Sequence, residues 1–153
     1  MGILYASILY AAGMFAVSVL ASPAAAQQSR VESIRMHLFR EGTGTLSDDI
    51  VANNPGLWNV IIGEQQANSF LVSVVVSGKP QSYDRDGTLT VTVYDDERKK
   101  RVVQRRFRGF LFGKDGRTYK PLLVDDLTCT RVRIVARTRG GAKSETVTFK
   151  CGE

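Results

Sequence analysis

The sequence predicts an all-β fold, an antiparallel β-sandwich of about seven to eight strands preceded by a signal peptide. Three observations predict it. Apolar residues recur at every second position along several stretches, turn-forming glycine and aspartate separate those stretches at short intervals, and the chain opens on an uncharged apolar segment. Of 153 residues, 27–153 remain for the folded part, enough for one core and too few for two. A single sandwich domain over 27–153 is expected.

Residues 1–26 carry no charged side chain, and the run from Ile3 to Leu20 is apolar or small apart from Ser7 and Ser18. Ser22-Pro23 breaks a helix there, and Ala24-Ala25-Ala26 supplies the small residues that fit a signal peptidase. Export to the periplasm or the extracellular space is expected, with the mature chain starting near Gln27. No Lys or Arg precedes the apolar run, so the alternative is an uncleaved anchor, about 20 apolar residues being enough to span a bilayer. A membrane is a partner only in that case. With no cysteine in the segment, an acylated lipoprotein terminus is excluded.

A first strand is expected around Ile34 to Phe39. Ser47-Asp48-Asp49 caps one helical turn that stops before Asn53-Asn54-Pro55-Gly56, and a weaker strand follows from Trp58 to Ile62. In the next stretch Phe70, Val72, Val74 and Val76 share one face, with Leu71 and Val75 on the other, as in a central strand covered on both sides. Leu89, Val91 and Val93 alternate with Thr88, Thr90, Thr92 and Tyr94, giving one buried and one hydroxyl-bearing face. A further strand is expected from Thr118 to Val124. Val132, Ile134 and Ala136 then alternate with Arg131, Arg133, Val135 and Arg137, so the polar face of that strand is an arginine row. Turns are expected at Asp86-Gly87, Asp95 to Lys100, Asp115-Gly116 and Gly140-Gly141. Size and alternation together suit an immunoglobulin-like or fibronectin-like arrangement, which by itself carries no function.

Cys129 and Cys151 are the only cysteines. In an oxidising compartment they are expected to pair, closing a loop of just over 20 residues that stabilises the fold by roughly 3 kcal/mol. A two-residue turn at Gly140-Gly141 sets Ile134 opposite Val147 and Val132 opposite Phe149, which leaves the two cysteines on opposite sides of the ladder. A bulge or a strand end beside one cysteine is needed to bring them together.

Net charge is +6, unevenly spread. Residues 27–97 hold 5 basic and 10 acidic side chains, and residues 98–153 hold 16 basic and 5 acidic. Arg105, Arg106 and Arg108 on one strand and Arg131, Arg133, Arg137 and Arg139 on another form one basic surface if the strands are neighbours. Arginine forks suit phosphate and carboxylate, so the expected partner is an anionic envelope polymer or an acidic protein. The competing reading is a solvated face that guards sheet edges. Nucleic acid is not the expected partner, because export removes it and Phe107, Phe110 and Phe112 suit the core better than a stacking platform.

Catalytic sets are lacking. His37 is the sole histidine and alternates away from the apolar face, and no G-x-S-x-G surrounds a serine. Asp48-Asp49, Asp95-Asp96 and Asp125-Asp126 are adjacent pairs whose side chains point apart on extended chain. Ser82 to Gly87 resembles part of a calcium loop but lacks the first carboxylate and has Val93 where the bidentate Glu belongs, so a hairpin turn is preferred. Trp58, the sole tryptophan, reads as a core anchor. The expectation is a non-catalytic binding or envelope-assembly protein with no cofactor and no metal. Two alternatives stand beside it: an inhibitor of a secreted enzyme acting through Asn53 to Gly56 or Lys79 to Asp86, and a small hydrolase built on His37.

Overall fold

A computed structural model describes residues 28–53, 57–58, 67, 69–125 and 129–150, with 57–58 described by backbone alone. The expected export signal over 1–26 lies outside them. The described chain is nearly all antiparallel β in two sheets, with a single turn of helix. Its elements are β1 (Arg30–Arg40), β2 (Thr45–Leu46), α1 (Ile50–Asn53), β3 (Leu57–Trp58), β4 (Ser69–Ser77), β5 (Tyr83–Asp95), β6 (Lys100–Leu111), β7 (Arg117–Val124), β8 (Arg131–Thr138) and β9 (Gly141–Lys150).

One sheet has the order β2-β1-β4-β7 and the other β3-β9-β8-β5-β6. The short β3 pairs parallel with β9, and the other pairings are antiparallel. Period-two patterning decides what each strand buries. Phe70, Val72, Val74 and Val76 on β4, Leu89, Val91 and Val93 on β5, and Val132, Ile134 and Ala136 on β8 enter one shared core. Val75 is also buried, on the opposite face of β4, between Ser33 of β1 and Tyr119 of β7. β4 is thus an inner strand with cover on both sides. Phe70 of the first sheet stacks on Phe149 of the second at 6.3 Å between ring centroids, which joins the two layers. Each such buried side chain contributes about 1.5–3 kcal/mol.

The helical turn forms where its cap was expected. Asp49 Oδ1 accepts from the backbone N–H of Val51 at 3.1 Å and from that of Met36, also at 3.1 Å, so one carboxylate starts α1 and ties it to β1. Ile50 follows into the core.

Two expected turns are corrected. Asp86-Gly87 does not reverse the chain; it lies inside β5, at an irregularity between the pairs Asp84 with Phe110 and Thr88 with Arg108. The reversal comes earlier, at Lys79 to Ser82, where Pro80 presets the bend and the Ser82 hydroxyl donates to the Lys79 carbonyl at 2.6 Å. The last hairpin turns at Arg139-Gly140, pairing Thr138 with Gly141, so Val132 faces Val147 and Ile134 faces Glu145. A side chain on Gly140 would stand 2.6 Å from the Ser29 carbonyl oxygen, so close packing against the start of β1 holds the glycine at this place. The two-residue offset from the expected register keeps every side chain on its expected face.

The β8–β9 ladder begins at Arg131 with Thr148, so Cys129 precedes the strand, half-buried and not a free thiol. Cys151 lies outside the described residues.

Candidate functional site

β5 lies between β6 and β8, so the two arginine-bearing strands are not neighbours but flank a column of hydroxyls. The register sets out the rows. Thr88 pairs with Arg108; Thr90 has Arg106 on one side and Arg137 on the other; Thr92 lies between Gln104 and Val135; Tyr94 lies between Arg101 and Arg133. Because Leu89, Val91 and Val93 point into the core, these rows occupy the outer face of the sheet. Arg131, opposite Thr148, continues the β8 row.

The arginines on this face are not equivalent. Arg133 Nε donates to both oxygens of Asp96 at 3.0 Å, and its guanidinium lies 4.6 Å from the centre of the Tyr94 ring. The hydrogen bond to Asp96 raises its pKa further, so it stays charged. Arg101 donates to Gln104 Oε1 at 2.9 Å. Among the described residues no carboxylate pairs with Arg106, Arg108, Arg131 or Arg137, and all four are exposed.

Beneath the Tyr94 end, Asp95 is buried at 4% exposure and anchors the β5–β6 turn. Its Oδ1 accepts from the backbone N–H of Arg98 at 2.9 Å and of Glu97 at 3.1 Å, and from the Thr130 hydroxyl at 2.6 Å. The Arg98 N–H, followed by the Thr130 hydroxyl, lowers the Asp95 pKa below its ordinary value. This knot ties the turn to the residue ahead of β8 and so fixes the strands carrying Arg131 and Arg133.

Of the sequence candidates, Arg106, Arg108, Arg131, Arg133 and Arg137 come together on the one face. Arg105 does not. It pairs with inward-facing Val91, and its guanidinium lies 5.1 Å from the centre of the Phe107 ring, at the sheet edge. Arg139 sits in the β8–β9 turn, lining a pocket of about 280 Å³ with Asp84 and Asp86. Arg101, in the basic run of the sequence but outside the expected contact set, also joins the face, although simple alternation would put it out of step with Gln104. An extra residue at Val102, between the pairs Val93 with Val103 and Tyr94 with Arg101, restores it to the outer face.

His37 is half-buried, its Nδ1 lying 2.9 Å from the Ser47 carbonyl, which it reaches as a donor. Ser47 in turn accepts from the Leu38 N–H, so the histidine pins the bend after β2. Of the proposed inhibitory loops, 54–56 lies outside the described residues, and Tyr83 to Asp86 is β5 rather than loop. The Trp58 side chain is likewise not described. A cleft of about 490 Å³ opens between β6 and β7, walled by Val102, Val103 and Leu123 with Asp95 at its base. No group of three or more metal-binding side chains occurs among the described residues.

No protein-family model matches the chain, and no curated protein matches it.

Proposed function

We propose that this protein is an exported, non-catalytic β-sandwich of immunoglobulin-like or fibronectin-like type, a binding or envelope-assembly protein that contacts an anionic partner. The contact surface is the outer face of the five-stranded sheet. The observation that supports it is the gathering there of Arg106, Arg108, Arg131 and Arg137, from two separated strands, with no carboxylate paired to them among the described residues. Arginines that served only solubility would not need to share a face across an intervening strand. Cleavage before Gln27 and a Cys129–Cys151 bridge belong to the same proposal.

Charge reversal tests it. Arg131→Glu with Arg137→Glu abolishes salt-sensitive capture of anionic envelope polymers, while the Arg105→Glu variant, altered on the other side of the sheet, keeps it. Equal capture by both variants would sink the proposal.

A further inference from the structure

We propose that Thr88 and Thr90 form the floor of a trough that seats one short segment of an acidic polysaccharide, with Thr92, buried at 6% exposure, lying beneath its closed end. The inference rests on the anionic-partner reading and names the ligand of that surface.

The trough follows from side-chain length and register. Thr90 lies between Arg106 and Arg137, directly paired with both, so the two guanidinium-bearing strands stand about 10 Å apart with a short side chain between them. Long walls and a low floor admit a single chain rather than a flat surface. One end is closed by Tyr94 with Arg133 stacked on it and held by Asp96. At the other end Thr88 borders a pocket lined by Asp84 and Asp86 together with Arg139, where carboxylates outnumber the one cation. The seat therefore runs from Thr88 to Thr90, about 7 Å at the rise of a strand.

The chemistry of these rows selects the occupant. Hydroxyls and unpaired guanidiniums match alternating hydroxyl and sulfate, phosphate or uronate groups on a sugar chain. Half-buried Val135 is the one aliphatic side chain in the three rows, so nothing there enters a lipid bilayer.

The test is fluorescence-polarisation titration of the protein with labelled heparin-derived oligosaccharides, and co-sedimentation with phosphatidylglycerol vesicles. Arg106→Ser with Arg137→Ser is expected to weaken oligosaccharide binding at least about tenfold. Thr90→Tyr raises the floor without changing charge, on a strand position where an aromatic is tolerated, and is expected to weaken oligosaccharide binding as much. Thr88→Tyr repeats the block should the first variant misfold. If the double arginine variant loses binding but both tyrosine variants bind like the unaltered protein, the trough is wrong and the anionic-partner reading stands. Vesicle binding without oligosaccharide binding also overturns the trough. If the unaltered protein binds neither probe, both proposals fall.

Discussion

Arg133 and Asp96 form a two-pronged pair across the start of β8, with Nε at 3.0 Å from each carboxylate oxygen and Nη2 at 3.0 Å from Oδ1. The guanidinium is stacked on Tyr94 as well, so its charge is already engaged within the fold. Arg133 is a structural support at the end of the basic face. Arg133→Ala is therefore expected to lower the urea midpoint, whereas Arg137→Ala, which breaks no pairing, leaves it unchanged. Identical midpoints for the two variants would contradict this division of roles.

Asp95 makes stability depend on acid in a defined direction. Its folded-state pKa is depressed, chiefly by the Arg98 N–H and then by the Thr130 hydroxyl. The unfolded value is about 3.9, so the contribution is fully present above that pH and is lost as pH falls through the lower folded value. Asp95→Asn is expected to lose less stability than the unaltered protein between pH 5 and pH 2. Thr130→Val, which removes one buried donor, costs about 1 kcal/mol at neutral pH. Urea melts across that pH range check both, and parallel pH profiles for Asp95→Asn and the parent would rule the mechanism out.

Gly116 and Gly44 share a left-handed backbone, with φ of +72° and +66°, but not the same surroundings. A Cβ at Gly44 meets nothing within 4 Å, while one at Gly116 would stand 2.8 Å from the Gly78 carbonyl oxygen. Gly44→Ala should cost about 1 kcal/mol from backbone strain alone. Gly116→Ala should cost more, because the Gly78 N–H to Gly116 carbonyl bond of 2.9 Å holds the two crossovers between the sheets together at that point. Thermal melts of the pair are the measurement; equal shifts in Tm would remove the contact from the account.

A Cys129–Cys151 bridge predicts that alkylation of the native, unreduced protein labels neither thiol. Reduction should lower stability by roughly 3 kcal/mol on the loop-entropy argument. Labelling of Cys129 before reduction would refute it.

The inward faces of the main strands were legible residue by residue. Alternation along Phe70 to Val76, Leu89 to Val93 and Val132 to Ala136 identified side chains that all enter the core. Asp49 was legible as a cap. Asp86-Gly87 was not legible as strand, since a glycine after aspartate reads locally as a turn and only the pairing of β5 with β6 shows it to be an irregularity.

What the sequence by itself determined is the class of fold, the inward face of each main strand and the concentration of arginine in the second half. These are period-two and compositional properties, set by neighbours along the chain. The tertiary structure alone decided that β5 intervenes between the arginine strands, that Arg105 leaves the face while Arg101 joins it, and that Arg133 is held by Asp96. Strand order, bulge position and ion pairing depend on contacts between distant residues, and are settled only when both sheets close on one core.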